Sequence, residues 1–170
     1  MGRAGYVGDE LGSALIGSRL VRDIMALCFL MERKYAPYPK WFGTAFKQLI
    51  CAEEMIPLLW QAELAKDWQE RQIILGEATV YLAHMHNNLG ITDPLPGKLA
   101  WFYDRPFKII QGSAFVNAIL ARMSDPEAQR IASRGLIGNI DQFSDNTDLH
   151  SCHGWRLGLR RLFEIDGSQI

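Results

Sequence analysis

The stretch from Asp67 to Gly90, DWQERQIILGEATVYLAHMHNNLG, contains the clearest helical pattern in this sequence. Its apolar residues recur at alternating steps of three and four, which places them on one helix face: Leu75, Ala78, Leu82, Met85 and Leu89. Asp67 followed by Glu70 resembles a capping box, although the strict pattern begins with Ser or Thr. Gly90 stands where a glycine commonly ends a helix. The pattern predicts one long amphipathic helix.

A second long helix is predicted between Asp9 and Tyr35. Its apolar positions are also spaced by three and four: Leu20, Ile24, Leu27, Met31 and Tyr35. Pro37 and Pro39 follow, and proline lacks the amide donor and disfavours a helical residue before it. The helix is therefore expected to end ahead of these prolines.

Shorter helical segments complete the predicted fold. They are Lys40 to Ile50, a helix starting near Met55 with Pro57 in its first turn, Phe107 to Met123, a helix opened by Asp125-Pro126-Glu127 and running to Arg134, and Trp155 to Phe163. No convincing alternating strand is present. We expect an all-α fold, a single-domain helical bundle over residues 1–170 with two long central helices. A Pro-rich loop (91–106) and an Asp-rich loop (135–154) are expected to be ordered.

The composition of the 170 residues excludes several classes of protein. With 48% hydrophobic residues and 18 basic against 19 acidic residues, the chain is neither intrinsically disordered nor a bulk-charge nucleic-acid binder. The longest apolar run, Ile24 to Met31, is too short to span a membrane, and no signal sequence is recognisable. Three widely spaced cysteines, Cys28, Cys51 and Cys152, favour reduced thiols. The expected location is the cytoplasm.

The histidines are candidate metal ligands. His84 and His86 are two residues apart on a helix and point about 200° apart, so they cannot share one ion. His86 is either a core-edge histidine or, with Asn87, part of a ligand site. His150, Cys152 and His153 have zinc-like spacing, but no second pair accompanies them. The sequence predicts neither a metal site nor a cofactor.

Two segments combine a cation with aromatic residues. Arg105 precedes Pro106 at an expected helix start and follows Trp101-Phe102-Tyr103. Such an arginine can clamp a phosphate or carboxylate, or pack its stem over an indole. Lys40 and Trp41, with Thr44 one turn later, offer similar chemistry.

An acidic segment follows later in the chain. Asp141, Asp145 and Asp148 are spaced by four and three, with Gln142 among them. The carboxylates either cap turns or contact a ligand or ion. Both interpretations stay open.

Several stretches carry a family resemblance: Leu20–Met25, Glu32–Tyr38, Lys40–Phe46, His86–Thr92, Phe102–Pro106 and Asp141–Asp145. Together, from about Gly8 to Asp148, they resemble the C-terminal helical domain of an uncharacterised bacterial family, a domain of unknown function. Its full-length members begin with a nucleotidyltransferase-like domain. In the similar aminoglycoside nucleotidyltransferases, the helical half helps to hold the acceptor substrate.

The resemblance does not extend to a catalytic site. A nucleotidyltransferase needs a Gly-Ser turn followed by an Asp-x-Asp pair that holds Mg²⁺. Here Gly12-Ser13 is followed by Asp23, but Met25 stands in place of the second acid. The chain is therefore expected not to be catalytic alone.

The predicted function is that of a non-catalytic helical module that binds a small polar or phosphorylated ligand. It would work with a nucleotidyltransferase-like domain supplied in cis or in trans. The predicted ligand-binding residues are Lys40, Trp41, Thr44, His86, Asn87, Tyr103, Arg105, Asp141, Gln142 and Asp145. The alternatives are a structural domain that forms homo-oligomers and, with less support, a metal-assisted hydrolase that uses the acidic cluster or His150 and His153.

Overall fold

The computed structural model describes residues 1–133 and 153–161, and most of them are helical. The elements are α1 (Gly2–Tyr6), α2 (Glu10–Met31), α3 (Pro39–Phe46), α4 (Ala52–Leu64), α5 (Trp68–Asn88), β1 (Leu99–Trp101), β2 (Lys108–Ile110), α6 (Gly112–Arg122), α7 (Pro126–Ala132) and α8 (His153–Arg160). The expected all-α class is confirmed in outline, with one small two-stranded sheet added. None of the described helices combines the length and apolarity that a membrane crossing requires.

The chain divides into two compact units, Met1–Val116 and Asn117–Ile170. Helices α1 to α5 and the sheet belong to the first unit. Helix α7 belongs to the second, where Asp125 caps it by accepting a hydrogen bond from the Ala128 amide at 2.8 Å. The predicted cap and the proline at the start of this helix are confirmed. A single domain over residues 1–170 stays a prediction.

Helix α5 forms as its sequence pattern predicts. The Asp67 carboxylate accepts a hydrogen bond from the Glu70 amide at 2.8 Å, which satisfies a free donor at the helix start. Gly90 has a φ of +63°, a conformation that glycine adopts without steric strain. Leu75, Ala78 and Leu82 are buried, so the predicted face is the face that packs.

Helix α2 buries a different face from the one expected. Its buried positions are Ser13, Gly17, Val21, Ile24, Cys28 and Phe29. Leu20 and Leu27 are exposed, and Tyr35 lies beyond the helix end at Met31. The expected apolar face was therefore wrong except near Ile24. Ser13 and Gly17 are the small residues among them, and the Arg71 side chain of α5 packs against both.

The residue that packs beside Gly17 is a buried arginine of α5. A Cβ atom at Gly17 would stand only 2.4 Å from Cδ of Arg71. Arg71 is 5% exposed, and its Nη1 lies 2.7 Å from Oε1 of Glu10. Its Nη2 also donates to the Ala65 carbonyl at 3.2 Å. This partnered cation ties the start of α2 to α5, and burying it without these partners would be strongly unfavourable.

The apolar core lies where α2, α3, α4 and α5 meet. Phe29, at its centre, lies 5.3 Å from the ring of Phe42 and 5.9 Å from that of Phe46. Met55 and Ala78 complete this layer and are fully buried. Helix α3 is thus held by the two phenylalanines on its inner side.

Helix α4 begins at Ala52, earlier than predicted, so Pro57 lies inside it rather than in its first turn. The Glu32 carboxylate accepts hydrogen bonds from the Ile50 and Cys51 amides, both at 2.8 Å. An acceptor and a negative charge at this point satisfy the free amides and the positive end of the helix dipole. This distant cap could not be read from local sequence.

The region around residue 105 departs most from the prediction. The expected helix over Phe107–Met123 is wrong at its start, because Lys108–Ile110 forms β2 and pairs antiparallel with β1. Helix α6 begins only at Gly112. Arg105 consequently stands in a hairpin turn and not at a helix start.

Candidate binding surface

The turn between the two strands presents aromatic and basic side chains. Trp101 pairs directly with Lys108 in the antiparallel register. The Phe102 amide donates to the Phe107 carbonyl at 3.0 Å, and the Arg105 amide donates to the Phe102 carbonyl at 3.1 Å. Tyr103 has a φ of +55°, which is uncommon for a residue with a side chain. The turn leaves the Tyr103 side chain 84% exposed.

Cations lie over two of the rings. Nζ of Lys108 is 4.7 Å from the Trp101 ring centroid, and the guanidinium carbon of Arg3 is 5.6 Å from that of Phe102. We call the group of six side chains the hairpin surface: Arg3, Trp101, Phe102, Tyr103, Arg105 and Lys108. It is a place where positive charge and aromatic faces are presented together.

The hairpin surface rests on buried contacts below it. Phe107 is 7% exposed and stacks on Phe102 with ring centroids 5.6 Å apart. A Cβ atom at Gly76 of α5 would lie 2.7 Å from Cδ1 of Leu99, so this glycine allows β1 to approach the helix closely. These contacts hold the hairpin against α5.

His86 and Asn87 anchor the loop that leads into the hairpin. Nε2 of His86 is 2.9 Å from the hydroxyl of Thr92, and the histidine is 4% exposed. The Asn87 amide group donates to the Leu95 carbonyl and accepts from the Leu95 amide, both at 2.9 Å. Both side chains therefore have internal partners that explain their presence. Their geometry assigns them to positioning the loop, and contact with a ligand stays a prediction.

Lys40, Trp41 and Thr44 are exposed on α3. Nζ of Lys40 is 5.3 Å from the Trp41 ring, so the predicted pairing of a cation with an indole is present. The structure thus groups the predicted residues in three places: α3, the end of α5, and the hairpin turn with Tyr103 and Arg105. Asp141, Gln142 and Asp145 lie outside the described residues. The convergence of all ten residues on one cleft stays a prediction.

The sequence reasoning missed Arg3 and Lys108. Lys108 was assigned to a helix, which hid its position opposite Trp101. The usable signal was the pair of short apolar segments around the Asp104-Arg105-Pro106 turn, since such segments flanking turn residues are typical of a hairpin. Arg3 is far away in sequence, and no local pattern places it over Phe102.

The two described cysteines form a buried cluster with Glu32. Burial raises the pKa of Cys28 to about 11, and the Cys51 thiol lies within hydrogen-bond reach of it. Burial also raises the pKa of Cys51, reinforced by hydrogen bonds to Glu32 and Cys28. Burial alone would raise the pKa of Glu32, but the hydrogen bonds from the Cys51 and Ile50 amides lower it overall. Both thiols are thereby held protonated at neutral pH, a poor state for a nucleophile.

Within residues 1–133 and 153–161, no group of three or more histidine, cysteine or acidic side chains could hold a metal ion. His150 and Cys152 lie outside these residues. A shallow depression at the turn between α4 and α5 contains none of the predicted ligand-binding residues and is lined by Gln61, Lys66, Asp67, Gln69, Glu70, Ile73 and Ile74.

A comparison with known protein families gives a match to the first part of the chain. A family model described as a domain of unknown function (DUF4037) matches residues 1–42, which include α1, α2 and the first turn of α3. No curated protein and no solved structure matches the chain significantly. The match includes the Leu20–Met25 and Glu32–Tyr38 stretches and the first three residues of Lys40–Phe46, whereas the stretches from His86 onward lie beyond it.

Proposed function

We propose that this chain is a non-catalytic helical binding module whose hairpin surface takes a small phosphorylated ligand. One observation carries the proposal: Lys108 lies 4.7 Å over Trp101 in the same hairpin as the exposed side chains of Tyr103 and Arg105. A ligand with both an anionic group and a planar ring matches such a surface.

The charge of the hairpin surface favours an anion. Arg3, Arg105 and Lys108 are all exposed and bring three positive charges to one hairpin, against the carboxylate of Asp104. Arginine binds phosphate oxygens in a bidentate manner, and lysine adds a point charge. A chain with net charge -1 can in this way carry a local site for phosphate.

The aromatic residues favour a ligand with a stacking surface. Trp101 is 63% exposed and Tyr103 is 84% exposed, so their ring faces are accessible. Bases stack on such rings with little dependence on sequence, at about 1–3 kcal/mol per base. A nucleotide or a similar phosphorylated ring compound fits both features.

The proposed partner is a nucleotidyltransferase-like domain in cis or in trans. The resemblance of the chain to the helical half of such proteins supports this pairing. The buried, protonated states of Cys28 and Cys51 are consistent with a binding role rather than nucleophilic catalysis by these thiols. The chain would then hold a substrate while the partner supplies the metal-binding carboxylates.

A thermal-shift screen tests the proposal on the full chain. The probes are ATP, inorganic triphosphate, a sugar phosphate and an aminoglycoside. A probe present at 100 times its Kd adds about 2.7 kcal/mol to the free energy of unfolding. We expect ATP to stabilise the chain most, because it offers both phosphates and a base. The absence of a shift with every probe would contradict the proposal.

A matched pair of lysine variants locates the effect. Lys108→Gln removes the cation over Trp101, whereas Lys66→Gln removes an exposed lysine at the α4–α5 turn. We expect only Lys108→Gln to reduce the ATP-induced shift. Equal reductions by the two variants would mean that ATP responds to overall charge and not to the hairpin surface.

A further inference from the structure

Helix α2 presents a regular stripe on the side roughly opposite its core face. We call it the α2 outer stripe, and its members are spaced by four, three, four, three and four residues: Gly12, Ile16, Arg19, Asp23, Ala26 and Leu30. None of them is buried, and Leu30 is 72% and Ile16 41% exposed. Alternating steps of three and four mark the seam along which two helices pack lengthwise.

The residues of the α2 outer stripe are arranged symmetrically about the middle of the helix. Two copies of α2 can lie antiparallel with their stripes facing and a two-fold axis level with Val21. Stripe residues equally far in sequence from Val21 then lie opposite one another. Gly12 then lies opposite Leu30, and Ile16 lies opposite Ala26. In the Ile16–Ala26 pair a small side chain faces a large one, which is the arrangement that lets facing layers interlock. At Gly12 the Asp9 carboxylate fills the space beside the backbone, since its Oδ2 lies 2.1 Å from the position of a Cβ atom.

The charged residues of the stripe are arranged with the same symmetry. Arg19 lies opposite Asp23 of the other copy, and the two-fold axis forms this opposite-charge pair twice. Parallel pairing in register would instead place arginine against arginine and aspartate against aspartate. Leu15 and Leu27, which are 66% and 37% exposed, flank the stripe on its two sides and add apolar surface beside it.

We propose that the α2 outer stripe binds a second copy of this chain in an antiparallel, two-fold symmetric dimer. The occupant is a second copy because the stripe is complementary to itself in both size and charge. A two-fold interface requires this property, since residue i contacts j and j contacts i. The inference rests on α2 alone and is independent of ligand binding at the hairpin surface.

Sedimentation of the full chain over about a hundredfold range of concentration tests the dimer, because its population depends on protein concentration. The average mass is expected to rise from 19.3 kDa toward twice that value. Leu30→Glu should raise the dissociation constant at least about tenfold, equivalent to 1.4 kcal/mol. The control Leu64→Glu changes a leucine of α4 that is 77% exposed and should leave the mass unchanged. A monomer at every concentration, or equal effects of the two variants, would overturn the proposal.

A charge swap tests the antiparallel register. Arg19→Glu and Asp23→Arg, made separately, each place like charges opposite one another and should weaken the dimer. The double variant restores opposite charges and should recover most of the association. Circular dichroism of each variant confirms that it is folded. A folded double variant that stays monomeric, or single variants that dimerise like the wild type, would overturn the register. As a control at the hairpin surface, Trp101→Ala should leave the mass unchanged.

Discussion

Nη1 of the buried Arg71 lies 2.7 Å from Oε1 of Glu10, and this ion pair joins the start of α2 to α5. The other Glu10 oxygen accepts a hydrogen bond from the Trp68 amide at 3.1 Å. One carboxylate therefore neutralises a buried cation and also satisfies a free amide in the first turn of α5. The placement of α2 against α5 depends on this side chain.

Glu10→Ala should destabilise the chain by about 2 kcal/mol, because it leaves the Arg71 charge buried with fewer partners. Glu10 is partly exposed, which keeps the loss below that of a fully buried pair. Urea unfolding measures the change. Glu77→Ala, at an exposed position of α5, is the matched control and should stay within about 0.5 kcal/mol of the wild type. An equal loss of stability in the two variants would contradict the structural role of Glu10.

Two glycine-to-alanine changes should act in opposite directions. A Cβ atom at Gly5 would stand 2.1 Å from Cγ of Trp68, a ring carbon that cannot move away easily, so Gly5→Ala should cost about 1–3 kcal/mol. Gly43 lies in the middle of α3 with nothing within 4 Å of the added atom. Gly43→Ala should stabilise the chain by about 0.5–1 kcal/mol. Thermal unfolding of both variants checks the signs, and a destabilised Gly43→Ala would contradict the open surroundings of that position.

Features of the fold that depend on neighbouring residues could be predicted from the sequence, as at Gly90, whereas features that depend on distant residues could not, as at Gly17. The Gly90 conformation and the Asp67 cap depend on neighbours within a few residues, so local patterns identified them. The burial of Ser13 and Gly17 in α2 depends on Arg71, more than fifty residues away, and a pattern based on leucine spacing therefore predicted the wrong helix face. Strands of three residues show too little alternation to identify the hairpin, so its signal lay in the turn residues that separate the two short apolar segments.

The contacts of the candidate site also divide into those between sequence neighbours and those that only the fold creates. Lys40 and Trp41 are neighbours in sequence, and their cation–π contact was predictable. The contact of Arg3 with Phe102 joins α1 to the hairpin, and only the fold brings these two residues together.

Glu32 should make stability sensitive to acid. Its hydrogen bonds with the Ile50 and Cys51 amides hold its folded pKa below the ordinary value of 4.5. A depressed pKa stabilises the fold above the unfolded pKa, and this contribution is lost as the pH falls through the folded value. Urea unfolding of the wild type and Glu32→Gln at pH 7 and at decreasing pH should show a smaller difference in acid. A difference that is constant with pH would contradict the depressed pKa.

Cys28 and Cys51 should resist alkylation in the folded chain. Both are buried, at 0% and 2% exposure, and burial raises the pKa of Cys28 to about 11. Thiolates are the reactive species, so iodoacetamide at pH 8 should label neither residue until denaturant is added. Peptide mapping by mass spectrometry distinguishes the cysteines. Rapid labelling of Cys28 without denaturant would contradict the packing around Phe29.

The central claim, that the hairpin surface binds a phosphorylated ring compound, is tested most directly by calorimetric titration of ATP into two tryptophan variants. Trp101 and Trp60 are equally exposed, at 63%, but only Trp101 belongs to the hairpin surface. We predict that Trp101→Ala raises the Kd for ATP at least about tenfold, since it removes a stacking face and the ring beneath Lys108. Trp60→Ala should leave the Kd unchanged. Equal affinity of the wild type and Trp101→Ala, or an equal loss in both variants, would contradict the claim.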